Sequence, residues 1–161
     1  MRHAAARLNL ADVLTPAAEK RLMDEYACLS AFPDTVPALK ALRERFGLPL
    51  AVLSNGNPPM LDVAEKSAGM SGLLDHILSV DAVRTYKPVA AYELGTRAFG
   101  AAAKDIVFVS SNGWDVAGAT WFGYSTFWIN RASLPIEQLG VTPRATGKNM
   151  NDLIASIETR R

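Results

Sequence analysis

The sequence predicts a doubly wound α/β fold built on a parallel sheet, and three observations carry that prediction. Four short apolar runs, Leu48–Leu53, His76–Val80, Ile106–Val109 and Ser125–Ile129, are separated by stretches whose apolar residues recur at helical spacing. Each separating stretch is long enough for one crossover helix, so the strands are expected to pair in parallel through right-handed crossovers. Two of the runs then break abruptly into small polar residues, Ser54-Asn55-Gly56 and Ser110-Ser111-Asn112-Gly113-Trp114-Asp115. Polar groups crowded just after a strand stand where open α/β sheets bind ligands.

Residues 1 to 31 read as helical: an Ala-rich start, then Thr15-Pro16 as N-cap and first helical position, with Leu22, Tyr26 and Leu29 on one face. That apolar face needs a partner. Phe32-Pro33-Asp34 is a breaker and cap, after which Val36, Leu39, Leu42 and Phe46 mark a helix stopped at Gly47. The first strand follows, and Asn57-Pro58-Pro59 opens a helix with Leu61, Ala64 and Ala68 inward, ending near Gly69. Beyond the second strand, Asp81 to Tyr86 is an irregular connection leading to Lys87-Pro88. A short helix with Tyr92 and Phe99 on one side then ends at Gly100. After the third strand a helix is expected from Asp115 to Phe122 with Gly123 as its stop, then the fourth strand. Residues 131 to 148 read as loop, and Asn151 as the cap of a last helix with Leu153, Ile154 and Ile157 inward. No internal repeat or linker divides the chain, which leaves Phe32 as the one candidate boundary.

Composition bounds the function. A chain of 161 residues, 49% hydrophobic and 20% charged, is the size of one ordinary folded domain. A formal net charge of +1 with scattered arginines offers no basic field, so no nucleic acid partner is expected. One cysteine, Cys28, excludes an internal disulfide framework, and His3 and His76 stand too far apart in sequence, in unlike contexts, to suggest zinc. There is no membrane-length apolar run and no signal-like start, so a cytoplasmic location without membrane partners is expected.

The residues that could carry chemistry are Ser54, Asn55, Lys87, Ser110, Asn112 and Asp115. A serine hydrolase would need the G-x-S-x-G turn and a nucleotide site would need a glycine-rich phosphate loop; neither is present. Hydroxyl and amide donors around one lysine and one carboxylate suit a small carboxylate or oxyanion. If Lys87 is buried it requires a carboxylate, for which Asp115 is the candidate, and Trp114 stands next to the polar cluster as a pocket wall. Taken singly, each stretch is equally an ordinary strand-to-helix turn, and Lys87 a solvated loop lysine before a proline. Together they favour a site.

Ser54-Asn55-Gly56, Tyr86-Lys87-Pro88 and Ser110-Ser111-Asn112-Gly113-Trp114-Asp115, in this order and spacing, resemble the haloacid dehalogenase (HAD) superfamily, and within it the type II (S)-2-haloacid dehalogenases. The resemblance runs from about residue 4 to residue 130, and it implies a HAD-like Rossmannoid core. It also implies roles. Ser54 would bind the substrate carboxylate and Asn55 would lie beside the leaving halide. Lys87 would hold a nucleophilic carboxylate ionised, Ser110 and Asn112 would position it and the hydrolytic water, and Asp115 would pair with Lys87. Trp114 joins the substrate-binding set, as does Tyr92, which resembles a family tyrosine although its spacing from the lysine is one residue shorter. The superfamily's phosphatases place a pair of acids after the fourth strand for magnesium; here Asp115 stands alone and 112 is asparagine. The resemblance therefore implies no metal and no cofactor, with a small 2-haloacid as partner, and leaves a homodimer open.

The nucleophile of that family is an aspartate in a D-x-Y-G-T motif on an N-terminal strand, and no such motif occurs in these 161 residues. Residues 1–32 are accordingly expected to be the remnant of a helical cap, and residues 33–161 a core lacking its first strand. The chain by itself is expected to be inactive. A magnesium phosphatase of the same superfamily and a non-catalytic binding remnant are the alternatives.

Overall fold

The computed structural model describes residues 2–88 and 90–159. Its helices are α1 (Arg2–Arg7), α2 (Pro16–Ala27), α3 (Thr35–Glu44), α4 (Pro58–Ser67), α5 (Glu93–Phe99), α6 (Gly113–Phe122) and α7 (Met150–Glu158). The strands are β1 (Ala51–Ser54), β2 (His76–Ser79), β3 (Val107–Ser110), β4 (Ser125–Ile129) and β5 (Ala145–Gly147). Short 3-10 turns at Val80–Val83, Ala90–Tyr92 and Ala103–Asp105 fill the connections.

Every strand pair is parallel, as the alternation of strand and helix requires. Two ladders form: β1 pairs with β2, with Ser54 opposite Ser79, and β3, β4 and β5 run side by side. Among the described residues no ladder joins β1 to β3. The two ladders nevertheless share two cores. On one face Ala38 and Leu42 of α3 and Met150 and Leu153 of α7 pack on Phe127 and Ile129, and this cluster draws in Leu50, just before β1, and Val109 of β3. On the other, Tyr92, Ala119 and Tyr124 pack with Leu53 of β1 and Phe108 of β3. Alternate residues of β1 and β3 thus serve opposite faces of one layered structure, although their backbones do not bond.

The strand β4 is buried on both faces from Thr126 to Ile129, as expected for a central parallel strand, whereas β1 is only half-buried throughout. Helix starts follow the sequence signals. Thr15 Oγ1 accepts from Ala18 N–H at 3.1 Å and Asn57 Oδ1 from Met60 N–H at 3.0 Å, each cap contributing about 1 kcal/mol. Three expectations need correction. The last helix is capped by Asn149, whose side chain accepts from Asn151 and Asp152 N–H; Asn151 is already inside the helix. Helix α6 begins at Gly113, two residues before Asp115, because Asn112 takes the extended cap conformation. Residues 145–147, read as loop, form the edge strand β5.

Asp34 does not cap α3 with its side chain. Its Oδ2 instead accepts from Arg131 at 2.9 Å and from Met150 N–H at 2.7 Å, clamping the start of α3 to the end of β4 and the start of α7. Burial pushes the Asp34 carboxyl up, but the Met150 amide and the Arg131 guanidinium outweigh it and hold the group below its ordinary value. The expected apolar face of α2 is present and uncovered: Leu22, Tyr26 and Leu29 are all exposed. No helix among the described residues is long and apolar enough to cross a membrane.

Candidate active site

Parallel strands deliver their carboxyl ends to one edge, and here that edge opens as a cleft of about 960 Å³. Ser54, Asn55, Lys87, Asn112, Trp114 and Asp115 all line it. The six come from three separate segments: the end of β1 with its loop, the lysine loop, and the start of α6 with the residue before it.

Each is fixed by a local device. Ser54 Oγ accepts from Gly56 N–H at 3.0 Å, and Ser79 Oγ donates to the Gly56 carbonyl at 2.7 Å, so the loop after β1 is tied to the end of β2. Asn55 Oδ1 accepts from the backbone N–H of Lys87 at 3.1 Å, bringing the lysine loop over the same strand end. The Lys87-Pro88 peptide is cis. Ser110 Oγ accepts from Asn112 N–H at 3.2 Å, closing the turn that launches α6.

The centre is an ion pair. Lys87 Nζ lies 2.9 Å from Asp115 Oδ2, with side chains only 8% and 4% exposed. Ser110 Oγ donates to the same Oδ2 at 3.0 Å, and Tyr92 donates to Oδ1 at 2.8 Å. Both carboxylate oxygens are therefore satisfied, which a desolvated carboxylate requires. The ammonium also sits 5.5 Å from the centre of the Phe108 ring.

Tyr92 is a correction to the expected substrate-binding set. Its ring is fully buried between Phe108, Phe122 and Tyr124, and its hydroxyl is spent on Asp115, while Tyr92 itself does not line the cleft. Burial first, and then the hydrogen bond to the Asp115 carboxylate, push its phenol far above the ordinary tyrosine range. Ser110 likewise faces Asp115 from behind the cleft wall, while Trp114, 42% exposed, flanks the opening.

Several positions in or beside the cleft were not assigned to it in the sequence. Gly118 lies where α6 passes the lysine loop: a Cβ there would stand 2.6 Å from Pro88 Cβ and 2.8 Å from the Tyr92 hydroxyl. A glycine inside an otherwise helical run was the available signal. Asp81 and Arg84 line the cleft from the irregular connection, and Tyr26 and Leu29 reach it from the end of α2 and just beyond. For these, sequence separation hid the proximity. Among the described residues no three His, Cys, Asp or Glu side chains converge into a metal-binding group.

Comparison with known proteins agrees with this architecture. The sequence model of the haloacid dehalogenase-like hydrolases matches residues 2–123. Haloacetate dehalogenase H-2 of Moraxella sp. (strain B) is 46% identical over 135 residues, which is 83% of this chain and 60% of that protein. The (S)-2-haloacid dehalogenase of Pseudomonas sp. (strain YL) is 42% identical over 139 residues, 86% of this chain and 60% of that one. The chain thus spans about 60% of the length of these relatives. Among solved structures, an L-2-haloacid dehalogenase superposes with a TM-score of 0.93 at 61% identity, covering 98% of this chain and 68% of its own. The L-2-haloacid dehalogenase of Xanthobacter autotrophicus with chloropropionic acid covalently bound superposes with a TM-score of 0.86 at 28% identity, over 98% and 72%. The chain belongs to the haloacid dehalogenase-like hydrolases.

Proposed function

We propose that this chain is the larger part of a hydrolase that removes halide from (S)-2-haloalkanoic acids. The observation that carries the reading is the buried Lys87 and Asp115 pair in the lining of a cleft that also presents Ser54, Asn55 and Asn112. Asp115 is the one acid in the segment after β3, and Lys87, Ser110 and Tyr92 already occupy its oxygens. A carboxylate so engaged supports a lysine that orients a second carboxylate better than it supports a magnesium ligand. The relatives named for 2-haloacids, and the covalent chloropropionate adduct in one of them, favour the same chemistry.

The second carboxylate comes, in this reading, from an aspartate on a strand that joins β1 on one side and β3 on the other. Leu53 and Phe108 already meet in one core and Leu50 and Val109 in the other, so the helices are placed to cover such a strand on both faces. The strand ends beside Lys87. Its carboxylate attacks C2 of the haloacid, a carbon–oxygen bond forms as the carbon–halogen bond breaks, and halide departs with the bonding pair. Ser54 holds the substrate carboxylate and Asn55 lies beside the leaving halide. Water then adds to the ester carbonyl, with Asn112 and Ser110 as positioning groups. The aspartate is regenerated and the 2-hydroxyacid leaves with inverted configuration and one proton. Residues 1–32 act as part of a cap, with Tyr26 and Leu29 already over the cleft.

The test is halide release from (S)-2-chloropropionate by the chain joined to an upstream segment bearing D-x-Y-G-T. In a single turnover in ¹⁸O-water, the label is expected in the aspartate and not in the product. Activity abolished by EDTA and restored by magnesium, with phosphate esters as the substrates turned over, would overturn the reading.

A further inference from the structure

Among the described residues, the cleft lining includes one cation that the mechanism above does not use. Arg84 lines it three residues before Lys87. Lys87 is committed to Asp115, but no carboxylate among the described residues lies within ion-pair distance of the Arg84 guanidinium. The nearest acid in sequence, Asp81, also lines the cleft, and what it gives Arg84 is its backbone carbonyl, which accepts from Arg84 N–H at 3.2 Å.

The backbone adds a second observation. Arg84 ends the turn Val80–Val83 in the left-handed region, φ 52° and ψ 33°. Glycine or asparagine fills such a position with less strain, and a long side chain gains nothing from it locally. A strained, exposed residue that lines a cleft and has no ion-pair partner among the described residues points to a ligand.

We infer that Arg84 is a specificity-determining residue that recruits the carboxylate of a small organic acid to the mouth of the cleft and selects it over neutral analogues. The inference rests on the reading that the substrate is a haloacid. In that reading Ser54 is a neutral donor and Lys87 faces carboxylates of the enzyme, so among the described residues the incoming carboxylate meets no other cation in the cleft lining. A solvent-exposed guanidinium acts at range in low salt and offers a planar, two-pronged match to a carboxylate at contact.

The test measures binding without turnover, so that failed hydrolysis and failed recruitment are separate results. The isotope-labelled 161-residue chain is titrated in low-salt buffer with 2-chloropropionate and with its neutral amide, following the Trp114 indole N–H and the Asn55 side-chain amide. Saturable shifts are expected with the acid only. Arg84→Gln should weaken the acid about tenfold, Arg84→Lys should recover most of that loss, and added salt should erase the difference. Arg84→Gly separates this role from a structural one: relief of strain should raise the thermal midpoint while binding stays as weak as in Arg84→Gln. Equal binding of acid and amide, or an unchanged Kd in Arg84→Gln and Arg84→Gly, would overturn the inference.

Discussion

The Tyr92 hydroxyl meets two oxygens of one residue, the Asp115 carboxylate Oδ1 at 2.8 Å and the Asp115 carbonyl at 2.9 Å. Side chain and backbone of Asp115 are thereby set by a group that never touches the cleft. Its own backbone is held in turn, since the Tyr124 hydroxyl donates to the Tyr92 carbonyl.

Tyr92→Phe keeps the aromatic packing and removes both contacts. The expected loss is about 1–3 kcal/mol of stability, since one buried carboxylate oxygen loses its donor. In the chain joined to a segment bearing D-x-Y-G-T, under the proposed function, kcat is expected to fall by about one to two orders of magnitude with little change in KM, as for a positioning residue. Denaturant unfolding and steady-state halide release measure the two effects; a change confined to KM would contradict the assignment.

Lys87→Met leaves Asp115 buried without its cation. Breaking such a pair from one side typically costs about 3–5 kcal/mol, so the variant should be destabilised as well as inactive. The double variant Lys87→Met with Asp115→Leu should recover part of the stability and none of the activity.

Gly118→Ala forces a methyl against Pro88 and the Tyr92 hydroxyl. Overpacking of this kind costs about 1–3 kcal/mol. Because both neighbours belong to the segment carrying Lys87, we expect activity to fall further than a chemically silent core change of equal stability cost. Leu153→Val, buried in α7 in the other core, is the control of comparable stability cost. Equal losses in activity at equal stability would remove Gly118 from the site's support.

Stability should decline at both extremes of pH, for opposite reasons. Asp34 is held below its ordinary value in the folded protein, and Asp75 is too, through the Leu50 amide and then Arg43. Their contribution is complete above the unfolded carboxylate value of about 3.9 and is lost as pH falls through the folded values. Tyr92 and Tyr124 are shifted upward, chiefly by burial, so their contribution is complete below about pH 10 and is lost above it. Thermal midpoints from pH 2 to 11 check both limbs. Asp34→Asn should flatten the acid limb and leave the alkaline one.

Much of this was legible in the sequence because the signals were local. The four main strands, the Thr15 and Asn57 caps, and the loops carrying Ser54, Lys87 and Asp115 all announce themselves within a few residues. The short strand Ala145–Gly147 did not, since three residues without an apolar run carry no strand pattern and owe their conformation to β4. The resemblance to a family tyrosine after the lysine puts Tyr92 at the substrate, although its spacing is one residue shorter. Only the packing of Phe108, Phe122 and Tyr124 around it decides that its hydroxyl faces inward. Arg84 gave no sequence signal, because a left-handed arginine looks like any loop arginine until its backbone is known.

Asp34 bonds to partners 97 and 116 residues further along the chain. Contacts of that separation close long loops and come at a high entropic cost, so they are expected to form after the local helices and the β3–β4 crossover. An interaction absent from the folding transition state governs how fast the native state opens, and hardly how fast it is reached. The Asp34 clamp is therefore a latch on the lifetime of the fold: cutting it should shorten that lifetime while refolding from denaturant keeps its pace.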